Sequence, residues 1–375
     1  PEDYFDTKLY TGNHSYPRTI ATNFTPDLVW VKGRAGYNHR LFDSTRGSAP
    51  LYPNLDHAMD SSNDGPEVNC ITNGFQIINN PDGTQAGSGV NSNSEAHVAW
   101  HWKAGGAPTA TNSNSAGAAP VSGSVMVDGT VSTANTTGTA PTIKRTTNTK
   151  SGFSIIQYTG GAGTTVGHGL GVKPAWIICK KTNAAGAWVT WHRGLVGGSE
   201  EDRWLQLDES GAAGSTTDYW GTGGITSSVF GTWASGGNNG DSGQLFTSYV
   251  WAEVPGFSKF GMWKNVSYNG GGTFVECGFR PAFIIMKNTD NSENWYILDN
   301  KRTPTNLGIN GLLGLRSNDA SAENNVNSSA GIDFLSNGFR INSTNVSSGE
   351  LSFGGRNYIF SAFAADPFKY VHGQH

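Results

Sequence analysis

Charge is scarce in this 375-residue chain: Asp, Glu, Lys and Arg together make up 14% of it, and the formal net charge is −4. With no basic stripe, nucleic acid is excluded as an expected partner. The three cysteines, Cys70, Cys179 and Cys277, lie about a hundred residues apart. An odd, unclustered set is neither a disulfide framework nor a zinc site, so they read as small buried hydrophobes. No apolar run approaches the ~20 residues of a membrane helix, and no signal peptide is visible. The chain opens at Pro1 without methionine, which leaves room for residues upstream. Heptads are also lacking, so nothing in the chain reads as a coiled-coil trimerisation segment.

What is present points to strands. Glycine stands at 51 residues, about twice the usual fraction, and Asn, Ser and Thr fill much of the rest. These are turn residues, whereas long surface helices need Ala, Leu, Glu, Lys and Arg. Twelve Trp, twelve Tyr and eighteen Phe supply a core, since each buries roughly 150–250 Å². The expected class is all-β.

One pattern organises the chain. Pro26-Asp27-Leu28-Val29-Trp30-Val31-Lys32 returns as Pro174-Ala175-Trp176-Ile177-Ile178-Cys179-Lys180 and as Pro281-Ala282-Phe283-Ile284-Ile285-Met286-Lys287. Each is a proline, five largely apolar positions and a lysine, the pattern of a buried strand with proline at its tolerated first position. Before them stand Leu9-Tyr10-Thr11-Gly12, Gln157-Tyr158-Thr159-Gly160 and, more loosely, Lys259-Phe260-Gly261-Met262. Each copy closes on an aromatic strand: Val98–Trp102, Tyr249–Ala252 and Ile359–Phe363. The expected organisation is three tandem antiparallel β-sandwich modules, residues 1–106, 152–255 and 256–375. Residues 107–151, rich in Ser, Thr, Gly, Ala and Asn, read as a linker, with a hairpin over Val125–Val131 around Asp128-Gly129. That linker would let the first module sit apart, while the short Glu253–Phe257 junction would hold the other two together.

Catalytic patterns find little support. Gly240-Asp241-Ser242-Gly243 matches a serine-protease loop, but neither His168 nor His192 lies in a matching histidine motif, so it reads as a turn. Glu200-Glu201-Asp202 and Asp208-Glu209 are adjacent pairs whose members point to opposite faces of a strand; the paired carboxylates a glycosidase needs would have to come from separate loops. His97 and His101 share a strand face without further ligands. Asp290–Asn294 lacks the glycine and glutamate of an EF-hand. No metal site is assigned, no cofactor is expected, and loop-bound Ca²⁺ is left open. Asp43 and Asp299, each followed by an arginine (Arg46, Arg302), with Arg193 as an approximate third, read as loop-ordering pairs. Trp220, Trp233 and Trp263 lie outside the core-strand strings, among Gly, Ser, Thr and Asn, and are the candidate sugar-stacking faces.

Several strings resemble a repeat family of virion proteins of marine bacteriophages, including cyanophages. They are Pro1–Phe5 running into Leu9–Asn13, Pro26–Lys32, His39–Gly47, Val98–Lys103, Gly152–Ser154, Gly167–Gly171, Gly256–Gly261 and Asp333–Phe339. The third copy departs at Met262-Trp263-Lys264-Asn265. The resemblance implies a concanavalin A-like (jelly-roll) sandwich on a tail fibre, spike or other appendage of the extracellular particle. A structural, non-enzymatic role follows, with other virion proteins as partners, a homo-oligomer (a trimer above all), and host-surface glycans as ligands. The alternatives are a secreted bacterial carbohydrate-binding or adhesion protein, and a glycan depolymerase.

Overall fold

The computed structural model describes residues 3–59, 67–78, 89–265, 272–306, 313–325, 330–343 and 354–365. It is all-β, with several antiparallel sheets. The proline-headed strings form strands Leu28–Gly33, Trp176–Lys181 and Pro281–Asn288, buried throughout. Each is hydrogen-bonded to a closing strand: Ala96–Trp102, Leu245–Trp251 or Asn357–Ala364. Beyond each closing strand lies an opening strand, Phe5–Thr11, Phe153–Thr159 or Ser258–Lys264. On the other side follow Arg40–Asp43, Val189–His192 and Trp295–Asp299. The same strand order therefore occurs three times, including in the copy whose opening sequence departs most.

A smaller sheet accompanies each large one. The first joins Arg18–Ala21, Gly74–Ile78 and Glu67–Ile71. The second pairs Thr165–Gly167 with Val229–Gly231, and the third joins Thr273–Glu276, Gly338–Ser343 and Ala330–Leu335. A separate apolar cluster fills the space between each large sheet and its small one, with Phe75, Phe230 and Phe339 as the small sheets' central aromatics. The period of two decides this: Val29, Val31 and Ala99 face the small sheet, while Leu28, Trp30, Trp100 and Trp102 face the other way.

Those other faces meet. A single cluster takes Trp30, Trp100 and Trp102 from the first strand set, Phe153, Trp176 and Trp251 from the second, and Phe260, Phe283 and Phe363 from the third. Phe5 stacks on Phe363 at 5.2 Å, and Trp102 meets Trp251 at 6.1 Å and Phe283 at 5.6 Å. The first set is thus built into the core with the other two instead of standing apart.

Three seams close these sets into a ring. At the first, Lys32 donates to the Ala320 carbonyl at 3.0 Å, Arg34 pairs with Glu323 at 2.6 Å, and His39 Nε2 donates to Arg316 O. At the second, Lys180 donates to Asp56 O at 2.8 Å, and Trp188 Nε1 reaches the carbonyls of Tyr52 and Leu55. At the third, Ala213 N donates to Thr289 O and Trp295 Nε1 to Gln206 O. Trp295 pairs with Lys287 in strand register, and His39 and Trp188 each lie one residue before the strand paired to the run that ends on Lys32 or Lys180, so equivalent positions make the ring-nitrogen contact at every seam. Head-to-tail contacts that return to their start form a closed ring, here within one chain.

Residues 107–151 are not a free linker. Thr142–Asn148 pairs antiparallel with Phe153–Thr159 and parallel with Val125–Val127, extending the second large sheet to nine strands. The Val125–Val131 hairpin forms as read, with Asp128 and Gly129 both at positive φ, the backbone that a two-residue turn matching strand twist requires. Gly105 seals the docking: a β-carbon there would come within 2.4 Å of Thr147 O.

Candidate functional site

The docked segment and the first strand set enclose a pocket of about 280 Å³, lined by Tyr4, Asp27, Lys103, Asp128, Asn148 and Lys150 among others. Asp27 precedes the first proline-headed strand and is buried. Its Oδ1 accepts from Ser44 Oγ at 2.6 Å, and Oδ2 from the Ala104 and Gly106 amides at 2.7 and 3.2 Å. Burial nonetheless pushes its pKa above the ordinary carboxylate value. Asp128, at the hairpin tip, accepts from Thr149 N and Oγ1 at 2.7 and 2.6 Å. Lys103 lies 6.0 Å over the Tyr4 ring, and Asn148 Nδ2 donates to Ala104 O. Carboxylates, ammonium groups, an amide and one ring converge here, a lining suited to a polar, hydroxyl-bearing ligand.

The candidate tryptophans fall into two groups. Trp220 is fully buried between Tyr219 and Phe230, with Nε1 donating to Arg203 O. Trp263 is buried in the third outer cluster, stacked on Tyr358 at 4.8 Å. Neither presents a face to solvent, and both leave the list of sugar-stacking surfaces. Each sits beside small polar residues in sequence but faces the gap between two sheets. Trp233 is half-buried and stacks on Tyr219 at 5.3 Å, which in turn stacks on half-buried Trp204 at 5.4 Å. Sequence reasoning missed Trp204 and Tyr219. Trp204 reads as an ordinary strand residue in Arg-Trp-Leu-Gln, and only the fold brings it next to Tyr219.

The remaining polar candidates serve the fold. Asp43 Oδ1 accepts from the amides of Thr45 and Arg46, and Asp299 Oδ1 from those of Lys301 and Arg302, so each orders its turn. His97 stacks on Tyr10 and His101 packs on Phe24. Burial drives the pKa of His101 down to about 3. Among the described residues no group of three or more His, Cys, Asp or Glu is placed to hold a metal ion. Asp241 of the Gly-Asp-Ser-Gly string pairs with Lys181, in the loop before Leu245–Trp251. Cys179 and Cys277 are free thiols whose pKa burial raises to about 12. No helix of the described residues is long and apolar enough to cross a membrane.

A family described as a domain of unknown function, DUF7483, matches this chain over residues 1–130 and again over 110–367. The chain belongs to that family. Both matches include residues 110–130, the stretch that carries the start of the Val125–Val131 hairpin and joins the first strand set to the second. No curated protein and no solved structure matches the chain. DUF7483 thus brings no ligand or reaction with it.

Proposed function

We propose that this DUF7483 protein is a structural component of a phage virion, a tail fibre, spike or surface appendage without enzymatic activity. Its three repeated sheet pairs are read as concanavalin-like sandwich modules held as one rigid body on the outside of the particle. The observation that carries this reading is the closed ring. Two of the repeated lysines, Lys32 and Lys180, and the ring nitrogens of His39, Trp188 and Trp295 fasten three strand sets around one aromatic core, as suits a part that bears load and presents surface. The resemblance of its strings to marine-phage virion proteins gives the biological setting.

Host-glycan binding is the accompanying activity. The Trp204–Tyr219–Trp233 column offers apolar ring surface at a partly exposed position, and the Asp27–Lys103–Asp128 pocket offers hydrogen-bonding groups. Weak sites repeated over a particle gain avidity without any one of them being tight. Because the chain closes its own ring, self-association into the expected trimer would use the outer small sheets or the ring's ends. Glycan-array binding and mass in solution test the reading. Saturable binding lost in Trp233→Ala supports attachment, and a folded protein that binds no glycan leaves a purely architectural part.

A secreted bacterial adhesin would share the glycan chemistry, and a secretion signal in the full-length gene would favour it. The depolymerase reading rests on two carboxylates, Asp27 and Asp128, lining one pocket. Glycan hydrolysis by the purified chain, lost in Asp27→Asn, would establish it.

A further inference from the structure

Two buried arginine side chains, those of Arg46 and Arg302, have carboxylate partners. Arg46 contacts Asp43 at 2.6 Å and the carbonyls of Ala49 and Leu41. Arg302 contacts Asp299 at 2.5 Å, Glu323 at 2.8 Å and Ile297 O. Arg145, in the strand Thr142–Asn148, is 6% exposed and has no ion pair among the described residues. Among the described residues its side chain makes one hydrogen bond, a long one of 3.4 Å from Nη1 to Gly167 O, and its Nε has no partner. A buried guanidinium without counter-charge is costly and is ordinarily neutralised by something.

The surroundings are shaped around it. Gly167-His168-Gly169-Leu170-Gly171 wraps the guanidinium, with Gly169 and Gly171 at φ +74. A β-carbon on Gly169 would lie 2.9 Å from both Cζ and Nε of Arg145, and the positive φ there favours glycine. His168 accepts from Leu170 N at Nδ1 and directs Nε2 at Thr226 O. Burial lowers its pKa to about 4, so it is neutral at ordinary pH and contributes no second cation. Burial alone lowers the Arg145 pKa to about 10, with no carboxylate raising it.

We propose that Arg145 and the Gly167–Gly171 loop form a binding site for the carboxylate of an acidic saccharide. The planar guanidinium fork fits a carboxylate at two points and supplies the charge a neutral sugar lacks. The choice of a saccharide rests on the glycan reading above; the anion site itself rests on Arg145.

The test is calorimetric titration of the full chain at low salt with sodium glucuronate, glucose 6-sulfate and glucose. Wild type, Arg145→Lys and Arg145→Met are compared, with the melting temperature of each. Glucuronate is expected to bind at least tenfold more tightly than glucose. Arg145→Met should lose that preference, Arg145→Lys should retain part of it, and neither should melt much below wild type. Glucuronate binding unchanged in Arg145→Met overturns the site, as does its absence in folded wild type. A collapse in melting temperature for Arg145→Met, restored by Arg145→Lys, also overturns it, by making the cation a structural pin. Binding of the sulfate but not the glucuronate refutes the carboxylate. Arg145-independent binding of neutral glycans leaves the glycan reading standing while this site falls; Arg145-dependent anion binding with a blank glycan array does the reverse.

Discussion

The first and third strand sets each carry a buried Asp–Arg pair where the second carries a histidine. Register aligns Asp43, His192 and Asp299, each opposite the start of its proline-headed strand. Asp43 accepts from Tyr249 OH at 2.7 Å across the second seam, and Asp299 accepts from Trp100 Nε1 at 3.0 Å across the first. Each carboxylate therefore orders its own turn, neutralises its own arginine and receives a neighbour's closing strand. His192 instead accepts from Gly194 N, lies 6.1 Å from the Phe260 ring, and is held neutral by burial. Its arginine, Arg193, has swung outward to Glu253 in the short junction. A ring can thus be closed by a buried ion pair at two corners and by a neutral ring at the third. Chain connectivity between the second and third sets explains why the third tolerates the weaker fastening.

The largest effect should come from removing one partner of a pair. Asp43→Ala leaves Arg46 buried and uncompensated, and a loss of about 3–5 kcal/mol is expected in urea unfolding. Asp299→Ala should match it, whereas His192→Leu should stay within about 1 kcal/mol of wild type. Equal losses at all three corners would erase the distinction.

Next come the seam donors. Trp188→Phe keeps an aromatic ring in place but removes the indole donor from the Leu55 carbonyl and leaves the Tyr52 carbonyl with the Leu55 amide, so about 1–3 kcal/mol should be lost. Trp295→Phe should cost less, because its indole serves one carbonyl, Gln206 O, instead of two. Chemical denaturation of the two variants side by side decides this.

The acid limb sharpens the same contrast. His101 and His192 have pKa values lowered to about 3 and His168 to about 4, against 6.5 unfolded; His39 and His97 shift the same way. Their contribution is fully present above pH 6.5 and is lost as pH falls toward 4 and below. Asp27, raised by burial, and Asp208, raised to about 6, act oppositely, contributing below the unfolded value of 3.8 and losing that contribution as pH rises through the folded one. Histidines outnumber them, so the melting temperature should drop between pH 7 and 4.5. His192→Leu should make that drop shallower; an unchanged slope would show that His192 titrates normally.

Smallest of all is Arg193→Ala. Its pair with Glu253 is half-exposed, so the change expected in melting temperature reflects about 0–1 kcal/mol.

A second contrast concerns sheet edges. The opening strand of the second set is covered by Thr142–Asn148, while those of the other two are sheet edges among the described residues. Register makes Thr7, Ile155 and Phe260 equivalent. Ile155 lies beneath the covering strand, whereas the amide of Thr7 is taken by Asp6 Oδ1 and that of Phe260 by Glu253 Oε2. Carboxylates at those positions occupy donors that could otherwise pair with another chain.

The strand strings were legible because apolar alternation and proline at a strand head follow from local rules. The three proline-headed runs, their closing strands and the Asp-Gly hairpin all fall where those rules put them. The loop-ordering role of Asp43 and Asp299 was legible from their recurrence beside arginine. Thr142–Asn148 was not, since Thr-Ile-Lys-Arg-Thr-Thr-Asn holds one apolar residue. Its burial depends on hydroxyl contacts, such as Thr147 Oγ1 with Ser154 Oγ at 2.9 Å, that hydropathy does not register.

By itself, then, the sequence determined an all-β chain with one strand set written three times, because strand periodicity and turn chemistry act over a few residues. The tertiary structure alone decided that the inner faces share one core and that the repeated lysines grip backbone carbonyls. It alone buried Trp220 and Trp263 and enclosed Arg145. Those outcomes depend on which surfaces meet across hundreds of residues, and contact at that range is set by packing and burial, not by local spacing.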